Sequence, residues 1–143
     1  MIAYSALADE ISTEFLVQAA AARGLRVAWP RVAGDVLVFA ECPPAALEAG
    51  ASGVLAPPAD APVVVPSEGD LVLVPGVAFD ADGGRLGRGG GHYDRVLAGL
   101  PPRATSVGIG YDFQLVASVP TEEHDVPVHV VVTDRQTYRR GET

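Results

Sequence analysis

Arg85, Arg88, His92, Asp94 and Arg95 lie within an eleven-residue span, with glycines at positions 83, 84, 87, 89, 90 and 91 around and between them. These residue types at this spacing suit phosphate. Glycine has no side chain, so several backbone N–H groups can approach one anion together. Arginine supplies planar, permanently charged donors that match phosphate oxygens. Asp94 adds a hard oxygen ligand of the kind Mg²⁺ takes beside a nucleotide. The competing reading is a flexible glycine-rich surface loop, and the flanking elements decide between the two.

Residues 71–74, Leu-Val-Leu-Val, form an unbroken apolar run, the mark of a buried strand. Pro75-Gly76 ends that run. Residues 93–100 then read as a helix up to Pro101-Pro102. The first turn of such a helix carries unpaired N–H groups and the positive end of a dipole. A buried strand, a glycine loop bearing arginines and a helix start together favour the anion-holding reading.

The chain has 143 residues, 48% of them hydrophobic, which suits a packed core and argues against disorder. Its formal net charge is −8, which argues against non-specific nucleic-acid binding, since that needs basic surface. Every basic side chain other than histidine is arginine; lysine is absent. Cys42 is the sole cysteine, so no internal disulfide forms. No signal-peptide pattern and no membrane-length apolar run stand out, so a cytoplasmic protein with no membrane association is expected.

Taken in order, residues 1–4 read as the end of a strand and residues 5–9 as a loop. Ser12 or Thr13 can cap a helix over residues 14–23, with Phe15, Leu16, Ala19, Ala20 and Arg23 on one face and Gly24 ending it. Residues 25–29 form a short strand stopped by Pro30, completing a βαβ unit. Residues 35–40 form another strand. Residues 42–66 are read as loop, with one helical turn at 45–49. Beyond the glycine motif, residues 105–111 form a strand in which Gly108 and Gly110 allow close approach by another group. A short helix at 112–118, a polar loop at 120–125, a last strand at 126–132 and a polar tail at 135–143 follow. Glu10 could accept hydrogen bonds from an amino-pyrimidine ring or be a surface acid. Asp125 alone is an ordinary loop carboxylate, and His124 beside it lacks zinc-ligand spacing.

The stretch Asp70-Leu-Val-Leu-Val-Pro-Gly-Val-Ala-Phe-Asp80, followed by Arg85-Leu-Gly-Arg-Gly-Gly-Gly-His-Tyr-Asp-Arg95, resembles the signature of the 5-formyltetrahydrofolate cyclo-ligase (methenyltetrahydrofolate synthetase) family. Asp9-Glu10-Ile-Ser-Thr13, Val27-Ala-Trp-Pro30 and Pro120-Thr-Glu-Glu-His-Asp125 extend the resemblance over nearly the whole chain. It implies a single domain over residues 1–143, a three-layer α/β/α fold with a mostly parallel central sheet. The implied reaction is ATP-dependent conversion of 5-formyltetrahydrofolate to 5,10-methenyltetrahydrofolate, with Mg²⁺ as cofactor and ADP and phosphate released. ATP phosphorylates the formyl oxygen, nitrogen-10 attacks the activated carbon, and phosphate leaves.

Carried onto this sequence, the family's ATP loop falls on Arg85, Leu86, Gly87, Arg88, Gly89, Gly90, Gly91, His92 and Tyr93. The folate contacts fall on Ser5, Glu10 and, overlapping the loop, Arg88, Gly89, Gly90, Gly91 and His92. The metal ligands fall on Asp94 and Asp125, and Arg88 is the catalytic candidate that stabilises charge on the transferring phosphoryl group. Gly90 stands where some members have lysine and His92 where many have tyrosine. Members also carry a longer N-terminal segment whose basic helix contacts ATP. Without it, core surface near residues 1–4 is expected to be exposed, and a non-catalytic folate- or nucleotide-binding paralogue or a scaffold subunit stays open as the alternative. A monomer or weak homodimer is expected.

Overall fold

The computed structural model describes residues 1–50 and 54–141. Parts of the loop read at 42–66 and of the tail read at 135–143 lie outside the described residues. The chain divides into two compact units, Met1–Pro66 and Ser67–Thr143. The fold is α/β, and among the described residues no helix is long and apolar enough to cross a membrane.

In the first unit, helix α1 spans Glu14–Ala22 and ends at Gly24, whose φ of 74° is the left-handed value that glycine adopts without strain. The Ser12 hydroxyl accepts the Glu14 N–H at 3.2 Å. Thr13 faces inward instead, donating its hydroxyl to the Tyr4 carbonyl at 2.7 Å. The buried stripe of α1 is therefore Val17 and Ala20 below Thr13, and the expected face is corrected: Phe15 is 82% exposed. The inward turn of Thr13 sets which side of α1 meets the core. Ile2, Ala3 and Tyr4 are buried, so the apolar surface expected there is not open. Ile2 bridges Ala28 in parallel, which realises the βαβ reading in miniature.

Strand β1 spans Ala28–Ala33 and β2 spans Val36–Glu41, paired antiparallel. Only Gly34 and Asp35 separate them, and a two-residue connection can join antiparallel strands alone. Pro30 was expected to stop the first strand; instead β1 runs through it, because β1 is the outer strand of its sheet and tolerates the missing N–H. The stretch read as loop contains a 3-10 turn at Pro44–Ala46 and short strands β3 (Glu48–Ala49), β4 (Leu55–Ala56) and β5 (Val63–Val64). β5 pairs antiparallel with β2. Cys42 is buried, its thiol pushed up by desolvation, and its carbonyl accepts the Trp29 indole N–H at 3.0 Å.

In the second unit, β6 spans Leu71–Val74 and β7 (Ala78–Phe79) pairs with β8 (Arg85–Leu86) as a small hairpin inside the glycine-rich stretch. Helix α2 (His92–Ala98) leads to β9 (Thr105–Gly110), then a 3-10 turn at Asp112–Gln114, β10 (Val130–Thr133) and β11 (Thr137–Arg139). β9 lies between β6 and β10, parallel to both, and β11 closes the far edge antiparallel. The mostly parallel sheet is thus corrected to two kinds of pairing: parallel around β9, antiparallel throughout β1, β2 and β5. The last long strand begins three residues past Pro127, and part of the expected tail is β11. Buried Ser106 is satisfied by His129, whose Nδ1 accepts the Ser106 N–H at 3.0 Å.

Phe79 is the ring around which this unit packs, 1% exposed. The close approach expected at Gly108 and Gly110 is made by Phe79 at Gly108 and first by the Gln114 side chain at Gly110, with Phe79 behind it. A Cβ at Gly108 would meet its Cε1, and one at Gly76 would stand 2.7 Å from its Cζ. Gly108→Ala therefore forces a methyl into a fixed ring and is expected to cost about 1–3 kcal/mol by overpacking. Urea unfolding measures this, and combining it with Phe79→Leu should recover part of the loss.

Candidate active site

The sequence folds Asp80-Ala-Asp-Gly-Gly84 into a tight turn, because a short carboxylate can accept the N–H groups that follow it. Asp80 Oδ1 accepts the Asp82 N–H at 3.0 Å and the Gly84 N–H at 2.8 Å. That turn delivers β8, and β8 delivers Arg85 into the interior. The Arg85 guanidinium donates to Asp94 Oδ1 at 3.2 Å and to the Pro75 carbonyl at 3.2 Å. Its carbon lies 5.9 Å from the centre of the Tyr93 ring, within cation–π range. The Arg85 side chain is 5% exposed and that of Asp94 21%, so this is a largely buried ion pair.

Between these two residues the loop is lifted to the surface. A Cβ at Gly87 would stand 2.8 Å from an Arg85 nitrogen, so the guanidinium lies directly beneath the backbone there. Arg88, Gly89 and Gly90 are exposed, and His92 and Tyr93 are half-buried. Gly91, at φ 69°, turns the chain into α2 in a conformation that side-chain-bearing residues rarely adopt. Of the loop arginines, Arg85 is thus buried beneath the loop and Arg88 is on its outer face.

The other expected site residues lie elsewhere in the chain. Asp125 is half-buried in the 120–125 loop; its Oδ2 accepts the Glu122 N–H at 2.7 Å and its Oδ1 lies 3.6 Å from His124 Nε2. Ser5 and Glu10 belong to the first unit, where Glu10 Oε1 accepts the Leu7 N–H at 2.8 Å. Nearby, burial pushes the Tyr4 phenol well above its ordinary range, with the Glu10 charge adding to the effect. Among the described residues no cluster of three or more His, Cys, Asp or Glu could hold a metal by itself. Asp94 and Asp125 are separate oxygen donors, suited to an ion that brings its other ligands with it. Asp80 was missed as a site-building residue, although its turn sequence was visible.

This chain matches the 5-formyltetrahydrofolate cyclo-ligase family over residues 1–134 and belongs to that family. It is similar to 5-formyltetrahydrofolate cyclo-ligase of Escherichia coli K12, 36% identical over 135 residues that span 90% of this chain and 74% of the relative. It is similar also to the enzyme of that name from Mycolicibacterium smegmatis, 32% identical over 94% of this chain and 73% of the relative. The solved structure of Aquifex aeolicus 5,10-methenyltetrahydrofolate synthetase superposes with a TM-score of 0.82 at 32% identity, covering 99% of this chain and 72% of that one.

Removing one partner of a buried ion pair strands the other charge. Asp94→Asn leaves the Arg85 guanidinium without its counter-charge and is expected to destabilise the fold by about 3 kcal/mol. Chemical denaturation of the variant measures this, and an unchanged midpoint would contradict the burial seen here.

Proposed function

We propose that this chain catalyses the ATP-dependent cyclisation of 5-formyltetrahydrofolate to 5,10-methenyltetrahydrofolate, releasing ADP and phosphate. The observation that carries the reading is the exposed Arg88 loop held from beneath by the Arg85–Asp94 pair, in a chain of this family. The formyl oxygen of the substrate is a poor leaving group, and transfer of the γ-phosphoryl group to it makes a good one. Nitrogen-10 then attacks the formyl carbon, and the carbon–oxygen bond breaks to release phosphate. Neither step needs a covalent enzyme intermediate, so catalysis is positioning and charge stabilisation.

In this reading residues 85–93 cradle ATP through backbone N–H groups. Arg85 props the loop while Arg88 faces the transferring phosphoryl group. Arg88 to His92 also border the folate, and the family resemblance makes Ser5 and Glu10 further candidates for folate contact, Glu10 as an acceptor for the pterin ring. Asp94 and Asp125 are the residues that would hold Mg²⁺, and two carboxylates fit an ion that completes its shell with water and phosphate. Mg²⁺ held there would neutralise charge on the phosphates.

The test is the absorbance of methenyltetrahydrofolate formed by the 143-residue protein from 5-formyltetrahydrofolate, ATP and Mg²⁺. Product that requires ATP is expected. Arg88→Ala should lower kcat by about 100-fold while leaving the melting temperature nearly unchanged, because Arg88 is exposed. A folded wild-type chain that forms no product would contradict the proposal.

A further inference from the structure

We propose that Asp80 is a positioning residue for the cyclisation, acting by holding the turn that precedes the glycine loop and tying it to Val119, at the start of the acidic loop that carries Asp125. The inference rests on the function proposed above. A tight turn of this kind needs only one acceptor oxygen, so asparagine would serve as well as aspartate. Asp80 uses both. Oδ1 takes the two turn N–H groups, and Oδ2 takes the Val119 N–H at 2.9 Å, across 39 residues of sequence. The residue is 7% exposed, and a group that accepts from three N–H donors at once must be a carboxylate.

The second tether comes from the same turn. The Gly83 carbonyl accepts the Val128 N–H at 2.9 Å. A Cβ at Gly83 would collide with the Val128 carbonyl oxygen, and its φ of 89° already favours glycine. The Phe79 carbonyl accepts the Val116 N–H at 2.8 Å just upstream. Residues 119 and 128 bracket the 120–125 loop, and residues 80–84 run straight into Arg85 and its pair with Asp94. One turn therefore sets the spacing between the two segments that carry the proposed phosphate and metal contacts. Misplacement by about 1 Å at such a centre can cost about 100-fold in rate.

Asp80→Asn separates the tether from the turn. The amide keeps its oxygen where two N–H groups point and sets its NH₂ against the Val119 N–H, donor facing donor. In ligand-free protein, amide exchange at Val119, Glu122, Asp125 and Val128 is expected to rise about tenfold, with residues 71–74 and 105–110 unchanged. In the assay, kcat per folded molecule should fall about tenfold or more, with the KM values for both substrates changing less than kcat. Gly83→Ala cuts the other tether and should give the same split, which keeps the test open if one variant folds poorly. Exchange that stays at wild-type rates at these amides in both variants would overturn the inference. So would a loosened loop with unchanged kcat in an active wild-type background. An inactive wild type would instead overturn the function on which the inference rests, and the positioning role with it.

Discussion

A guanidinium buried to 5% exposure cannot be left without a counter-charge, and in this chain that constraint fixes the site. Arg85 opens a two-residue strand and Asp94 stands in the first turn of α2, nine residues apart. Joining them closes the intervening glycine loop at its base. The loop's own glycines have little tendency to hold one shape. What orders them is the pair below, the Pro75 carbonyl that takes a second Arg85 N–H, and the Tyr93 ring beside it. The Arg85 Nε is buried with no partner among the described residues, a cost that an isolated ion pair on a surface would not carry. A charge placed at such expense inside a small unit makes sense where the geometry above it is used.

The parallel strands explain how the pair reaches its position. β6 and β9 run side by side in parallel and begin level with one another, Leu71 opposite Thr105, and β9 continues two residues past the partner of Val74, so the chain leaves both at the same end of the sheet. Phe79 fills the space over Gly108 and beside Gly76, which seats the β7–β8 hairpin on the sheet. Gln114 closes the same edge, its side-chain NH₂ donating to the Gly76 and Val77 carbonyls at 3.1 Å each. The Asp80 turn then feeds Arg85 inward. Packing, turn chemistry and ion pair follow one another along seven residues, and each would fail without the one before.

Much of this was legible in the sequence. The 71–74 run, the helix after the glycines, the strand at 105–110 and the motif residues needed only hydrophobic runs and glycine spacing. What was not legible depended on partners far away in sequence. Nothing local says that Thr13 turns toward Tyr4 and so rotates α1, leaving Phe15 outside. Pro30 reads as a stop because its tolerance depends on β1 being an outer strand, which is a property of the sheet. Arg85 and Arg88 look alike three residues apart, yet one is a buried prop and the other exposed. Arg85 opens β8 and turns inward to Asp94, whereas Arg88 lies past the strand in the glycine loop. His129 and Asp80 were passed over because their partners, Ser106 and Val119, lie 23 and 39 residues away.

The most direct test is a double-mutant cycle at the pair: Arg85→Met, Asp94→Leu and the two together, each unfolded in urea. If the buried pair organises the loop, the double variant should be more stable than the sum of the single losses implies, with a coupling of about 1–3 kcal/mol. Stability losses that simply add would mean that the two side chains act independently, and would contradict the pair as the base of the site.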